Sequence, residues 1–306
     1  MSAPVDLSVR VGTLSLKNPV IAASGTTGFG REMADVLDLS RLGAICSKGV
    51  TLEPRRGNLP PRVAETASGM LNAVGLQNPG LDRFLEEDLP FLLGRGTAVV
   101  VNVAGNTAED YQELCRRLDA TGCDAIELNL SCPNVKEGCM AFGSTPAGVR
   151  ALVRAVRPLT RKPLWVKLTP NTGSVAETAR AAEAEGADAV SLVNTLLGMA
   201  VDARTRRPVL RNNTGGLSGP AIKPVALRMV HEAFQAVGIP VVGMGGIMTG
   251  EDAAEFLLCG ASAVQVGTAG LVRPSAFVSV ADELADFARE TGCSRIADLV
   301  GALRPW

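Results

Sequence analysis

The chain has 306 residues, 46% of them hydrophobic and 20% charged, with a formal net charge of −1 at pH 7. That balance offers no single-sign field of the kind that recruits nucleic acid or an anionic membrane. The longest apolar runs, such as "TAVVVNVAG" and "VVGMGG", fall well short of the ~18 residues a membrane span needs, and "MSAPVDLSVRVG" at the start lacks a charged segment followed by an apolar one, so a cytoplasmic protein is expected.

Along the chain, Leu7, Val9 and Val11, then Leu14 and Leu16, alternate around Gly12, which predicts a short hairpin capping one end of the fold. Eight runs rich in Val, Ile and Leu follow: "NPVIAAS", "GAICSKG", "TAVVVNVAG", "DAIELNLSC", "PLWVKLTP", "DAVSLVNT", "IPVVGMGGI" and "SAVQVGTA". Between several of them lie helical patterns, at Pro146 to Arg157, Val175 to Glu185, Pro224 to Val237 and Gly250 to Leu258. Continuous apolar strands alternating with helices imply a parallel sheet buried on both faces, and eight such units predict one closed (β/α)8 TIM barrel, an α/β domain spanning residues 1–306. A doubly wound dinucleotide fold is disfavoured, because "GTTGFG" after the first strand carries Thr27 where that fingerprint needs its second glycine. Two connections, Val50 to about Gly80 and Gly198 to about Gly219, are too long for ordinary turns. Both leave strand C-termini and are expected to fold over the barrel mouth.

Barrel enzymes build their sites from the C-terminal strand ends. Here those ends read Ser24, Lys48, Asn102, Asn129 with Cys132, Lys167, Asn194 with Thr195, Gly245 with Gly246, and Gly267 with Thr268. A purely structural barrel has little use for so many polar groups in register. Glycines after strands seven and eight occupy the position where barrels hold a phosphate on backbone N–H groups, although Gly also serves tight turns. Lys167 suits the electron-rich edge of a ring system, or else snorkels to the rim.

The seven cysteines, Cys46, Cys115, Cys123, Cys132, Cys139, Cys259 and Cys293, contain no C-x-x-C pair and no spacing for zinc or an iron–sulfur cluster. The single histidine, His231, falls within a helical pattern and reads as helix packing, so proton chemistry passes to a carboxylate, a lysine or a thiol. Cys132 ends a strand and is followed by Pro133, which forces the chain out of regular structure. A thiol there can act as a base, or it can be a buried spectator; spacing leaves both open.

The stretches "NLSCPNVKEGCMAFG", "SKGVTLEPRRGN", "MLNAVGLQNPG", "VNTLLGM", "NNTGGLSGPAIKPVALRMV" and "GMGGIMTGEDAAEFLLCGASAVQVGTA" together resemble the class 1 dihydroorotate dehydrogenases, in particular the class 1B catalytic subunit, over nearly the whole chain. The resemblance implies a (β/α)8 barrel that binds FMN and oxidises (S)-dihydroorotate to orotate in de novo pyrimidine biosynthesis. By that resemblance Cys132 matches the base that removes the C5 proton while hydride passes from C6 to FMN, on a loop that closes over substrate. Membrane-bound class 2 enzymes carry serine there and an N-terminal membrane-associating extension, and this sequence shows neither.

The resemblance also implies substrate contacts from Lys48, Asn72, Ala73, Val74, Gly75, Leu76, Asn129, Asn194 and Thr195. It implies FMN contacts from Ser24, Lys48, Gly49, Asn102, Asn129, Lys167, Val193, Gly219, Gly245, Gly246, Gly267 and Thr268, the last four around the phosphate. No metal site is implied. Electrons leave class 1B enzymes for NAD⁺ through a partner subunit carrying FAD and [2Fe–2S], and the expected assembly is a homodimer core within a heterotetramer. Cys139 stands where the family pattern has glycine. A fumarate-using class 1A enzyme, a uracil- or thymine-reducing dihydropyrimidine dehydrogenase and a non-catalytic flavin-binding scaffold are the alternative readings.

Overall fold

The structure is a computed structural model that describes residues 5–131 and 142–306. It opens with the predicted hairpin, β1 (Val9–Val11) and β2 (Leu14–Leu16), paired Val9 to Leu16 and Val11 to Leu14. Gly12 makes the turn at φ +62°, where an L side chain is strained, and lies against the carbonyl of Asp188 at the N-terminal end of a barrel strand. The hairpin therefore packs under the barrel, away from the strand C-termini.

Eight parallel strands close the barrel: β3 (Val20–Ala22), β4 (Ala44–Cys46), β7 (Ala98–Val103), β8 (Ala125–Asn129), β9 (Leu164–Lys167), β10 (Ala189–Leu192), β15 (Val241–Met244) and β16 (Ala261–Val266). Neighbours in sequence are neighbours in space, and β16 pairs with β3 to complete the ring. All eight strands coincide with the predicted apolar runs. Every residue of β3, β4, β8, β9, β10 and β15 is buried, as strands covered on both faces require.

Outer helices supply the covering. The helix Ala108–Asp119 buries Tyr111, Leu114, Cys115 and Leu118, and Pro146–Val156 buries Val149, Leu152, Val153 and Val156. Both sets follow the i, i+3, i+4, i+7 spacing of one helix face. Side-chain caps fix the entry points: Thr107 and Thr249 each form a reciprocal capping box with an aspartate at the third helical position, while Thr145 and Ser174 accept from Gly148 and Glu177 N–H. Such caps contribute about 1 kcal/mol each.

The two long connections do lie over the mouth, but as a sheet. From the first come β5 (Val63–Thr66) and β6 (Gly69–Asn72), and from the second β11 (Leu196–Gly198) and β14 (Gly215–Ser218), in the order β11-β14-β6-β5 with every pairing antiparallel. The pairing β14–β6 stitches the two excursions together, which neither segment's local pattern announces. A separate short ribbon, β12 (Val201–Asp202) with β13 (Arg207–Pro208), extends the second excursion. Gly216 is obligatory in this roof, because a Cβ there would fall 1.9 Å from Thr195 Oγ1.

A cavity between the barrel mouth and the roof

The strand C-termini and the roof enclose a cavity of about 470 Å³, within the range of a cofactor or drug-sized ligand. Its walls gather residues that are remote in sequence: Ser24 and Lys48 with Gly49, Asn72 through Leu76 apart from Ala73, Asn129, Lys167, Val193 to Thr195, Gly219, Gly245, Gly246, Gly267 and Thr268. Of the expected site residues that the structure describes, two fall outside the lining. Ala73 is fully buried, its N–H donates to Arg62 O and its carbonyl accepts from Asn58, so it has turned into the roof. Asn102 lies one layer below. Cys132 and Cys139 lie outside the described residues.

One end of the cavity is glycine. Gly219, Gly245 and Gly246 have φ of +97°, +126° and +85°, and a Cβ on Gly246 would sit 2.8 Å from Lys223 Cβ and 2.9 Å from Gly219 O. No side chain covers the backbone at these glycines, close to the helical starts at Pro220 and Thr268, a combination suited to an anion such as phosphate. Thr268 Oγ1 donates to Ser218 Oγ at 2.9 Å, joining this end to the roof. We expect Gly246→Ala to cost about 1–2 kcal/mol through its left-handed backbone alone and to loosen phosphate-bearing ligands further; an unaltered melting temperature and ligand affinity would contradict this.

Lys48, Asn72, Asn129 and Asn194 line the same cavity. Burial, reinforced by the nearby Arg62 guanidinium and opposed by Glu32, pulls the Lys48 ammonium below its ordinary pKa. A bound carboxylate would relieve both effects.

Beneath the cavity lies a group that inspection of strand ends missed. Glu127 on β8 is fully buried, and its carboxylate accepts from Asn102 Nδ2, Ser191 Oγ and Gln265 Nε2, each at 2.7 Å, and from Cys46 Sγ at 3.3 Å. Lys167 Nζ, itself almost fully buried, lies 3.8 Å away. Burial pushes the Glu127 carboxyl up, but the Lys167 charge and the three short hydrogen bonds outweigh it and hold the group below its usual range. Burial and the adjacent Glu127 charge drive the Cys46 thiol well up, so it stays protonated. A signal existed: Glu127 is two residues before Asn129 in "AIELN" and so shares its inward face. His231 is on the outer helix Lys223–Ala236, half-buried near Cys259 O, as the sequence predicts.

A closed parallel barrel with a roofed cavity at its strand C-termini, lined by glycines at strands seven and eight and by lysines and asparagines, has the architecture of a barrel enzyme. The family model for dihydroorotate dehydrogenase matches residues 6–287, and the chain belongs to that family. It is 54% identical over 299 residues to a protein of Geotalea uraniireducens named dihydroorotate dehydrogenase B (NAD(+)), catalytic subunit, covering 97% of this chain and 98% of that one. Proteins of the same name from Bacteroides fragilis, 54% identical over 301 residues, and Thermoanaerobacter pseudethanolicus, 51% identical over 300 residues, are matched over 97% and 98% of this chain and 99% of theirs. A crystal structure of the Eimeria tenella dihydroorotate dehydrogenase with ferulenol has the same fold, with a TM-score of 0.80 at 24% identity over 97% of this chain and 88% of that one.

Proposed function

We propose that this chain is the FMN-binding catalytic subunit of a class 1B dihydroorotate dehydrogenase, a barrel domain spanning residues 1–306 that oxidises (S)-dihydroorotate to orotate in the cytoplasm. The observation that carries the reading is the convergence of Lys48, Asn72, Asn129 and Asn194 on one cavity whose lining also includes Lys167 and the glycines Gly219, Gly245 and Gly246. Asparagine amides offer N–H donors to a ring's carbonyl oxygens, and a desolvated ammonium suits its carboxylate. The near full-length identity to B-type catalytic subunits supports the same reading.

FMN fits the residues on two counts. Gly219, Gly245 and Gly246, at positive φ and packed too closely for a Cβ, leave that stretch of the lining without side chains where its phosphate would lie, and at the floor the buried Oε1 of Gln265 has no hydrogen-bond partner while Lys167 lines the cavity beside it. Ser24, Gly49, Lys167 and Val193 would hold the ring, and Gly219, Gly245, Gly246, Gly267 and Thr268 the phosphate. Bound FMN supplies the two-electron acceptor that the oxidation requires. The chain's own part is to orient dihydroorotate through Lys48 and the asparagines, with Leu76 and Thr195 closing the sides, and to take up the C5 proton at the Cys132 thiolate as the C5=C6 double bond forms.

FAD and a [2Fe–2S] cluster belong on a partner subunit that passes electrons to NAD⁺, around a homodimer of this chain. Anaerobic dihydroorotate is expected to bleach the flavin of the purified chain, and the bleaching should persist until the partner subunit and NAD⁺ are supplied. Rapid reoxidation by fumarate alone would place the chain with class 1A enzymes, and no bleaching would sink the reading.

A further inference from the structure

We propose that Ser131, a residue outside the expected contact set, is a positioning residue that relays the orientation of Asn129 to Asn194 and so fixes which face of Asn194 is presented to the substrate; the assignment rests on the dihydroorotate reading above. Ser131 is fully buried, just past the end of β8, with its side chain beside the ends of two strands that are not neighbours. Its Oγ donates to Asn129 Oδ1 at 3.0 Å and accepts from Asn194 Nδ2 at 2.7 Å, so one hydroxyl bridges the end of β8 to the segment after β10, across the end of β9.

The direction of that bridge is dictated from below. A carboxylate can only accept, so Asn102 must turn Nδ2 toward Glu127, at 2.7 Å. Its Oδ1 is thereby left to accept Nδ2 of Asn129, at 3.3 Å. Asn129 Oδ1 then faces Ser131 and takes both its N–H, at 3.2 Å, and its O–H. Having donated its single hydrogen, the hydroxyl can only accept from Asn194, whose own Oδ1 is occupied by Thr195 N–H at 2.7 Å. Every donor in the series points toward Glu127.

The consequence for recognition is specific. Each amide has two N–H bonds and spends one in the chain, so Asn129 and Asn194, which both line the cavity, each retain one N–H for the ligand while their oxygens are committed. The wall offers two fixed donors where a freely rotating amide would offer a mixture. A planar ring bearing carbonyl or carboxylate oxygens is selected, and a ring presenting N–H groups at those points is rejected, because a buried polar mismatch is costly. Without the hydroxyl, Asn194 loses the acceptor that holds its Nδ2 and can turn over, while Asn129 stays held by Asn102 and the Ser131 N–H, so the paired donor pattern is lost at Asn194.

The test is orotate binding to the FMN-loaded protein, followed by the flavin absorbance, for wild type, Ser131→Ala, Asn194→Ala and the double variant. Deleting one buried oxygen should leave FMN content and the fold intact, checked by absorbance and melting temperature. Orotate affinity should fall about tenfold or more in Ser131→Ala, with KM for dihydroorotate rising by a larger factor than kcat falls. In the Asn194→Ala background the same serine change should cost less than half as much on a logarithmic scale, because its lever is already gone. Equal affinity in wild type and Ser131→Ala, or fully additive losses in the double variant, would overturn the assignment while leaving the enzyme reading untouched. Wild-type protein that holds FMN but does not bind orotate would overturn the enzyme reading, and this assignment with it.

Discussion

Cys132→Ser should slow anaerobic reduction of the flavin by dihydroorotate about 100- to 10,000-fold near neutral pH, the range that a positioned general base contributes. A cysteine thiol ionises near pH ~8.5 when unperturbed, within reach of tuning, whereas a serine hydroxyl needs a neighbouring base to be activated. The single histidine is on an outer helix beside Cys259 O, and Glu127, the carboxylate beneath the cavity, already accepts hydrogen bonds from Asn102, Ser191, Gln265 and Cys46. Neither is free to stand in for the thiol. The wild-type rate should therefore climb with pH until the thiol has ionised, and the variant's rate should remain low through that window. Orotate affinity should change much less than the rate, because the asparagines and Lys48 are untouched. A variant reduced as fast as wild type at neutral pH would remove Cys132 from the base role.

The barrel was legible because its information is local. Each parallel strand is mostly apolar and almost wholly buried, as in "AVVVNV" and "AIELN", and helices such as Pro146–Val156 follow the 3.6-residue period closely. The strand ends are informative for the same reason, since eight parallel strands must place their C-termini on one rim. The roof was not legible: "GMLN" and "GGLS" are short, glycine-bearing and only half-buried, and they are strands because each pairs with the other across more than a hundred residues of chain. Nor was the layer below the rim. Asn102 looks like a strand-end contact, yet in the folded barrel it transmits the Glu127 charge to Asn129 and stands behind the cavity wall. Ser131 reads as a polar residue next to a more conspicuous cysteine, and only the distance from its hydroxyl to Asn194 reveals the bridge.

Glu127→Ala should destabilise the chain by about 3–5 kcal/mol, the cost of stripping one partner from a buried ion pair. The loss would strand the Lys167 ammonium without its counter-charge and leave Asn102, Ser191 and Gln265 donors facing a void. Glu127→Gln keeps the shape and should cost less. Gln265 can turn its unpartnered Oε1 toward the new amide, which limits the damage on that side. The two variants also separate packing from charge through pH. The folded-state pKa of Glu127 is depressed below the ordinary 4.5 by Lys167 and its hydrogen bonds, against the opposing pull of burial. A depressed carboxyl contributes stability that is fully present above the unfolded pKa and drains away as pH falls through the folded value. Wild type should accordingly lose stability on acidification below about pH 4.5 more steeply than Glu127→Gln, which has no such proton to take up. Denaturant melts of the two proteins at matched pH values measure the difference directly. Parallel acid limbs would mean that the Glu127 carboxyl carries no net stabilising charge, and the hub would then be a packing feature whose donors merely fill the barrel.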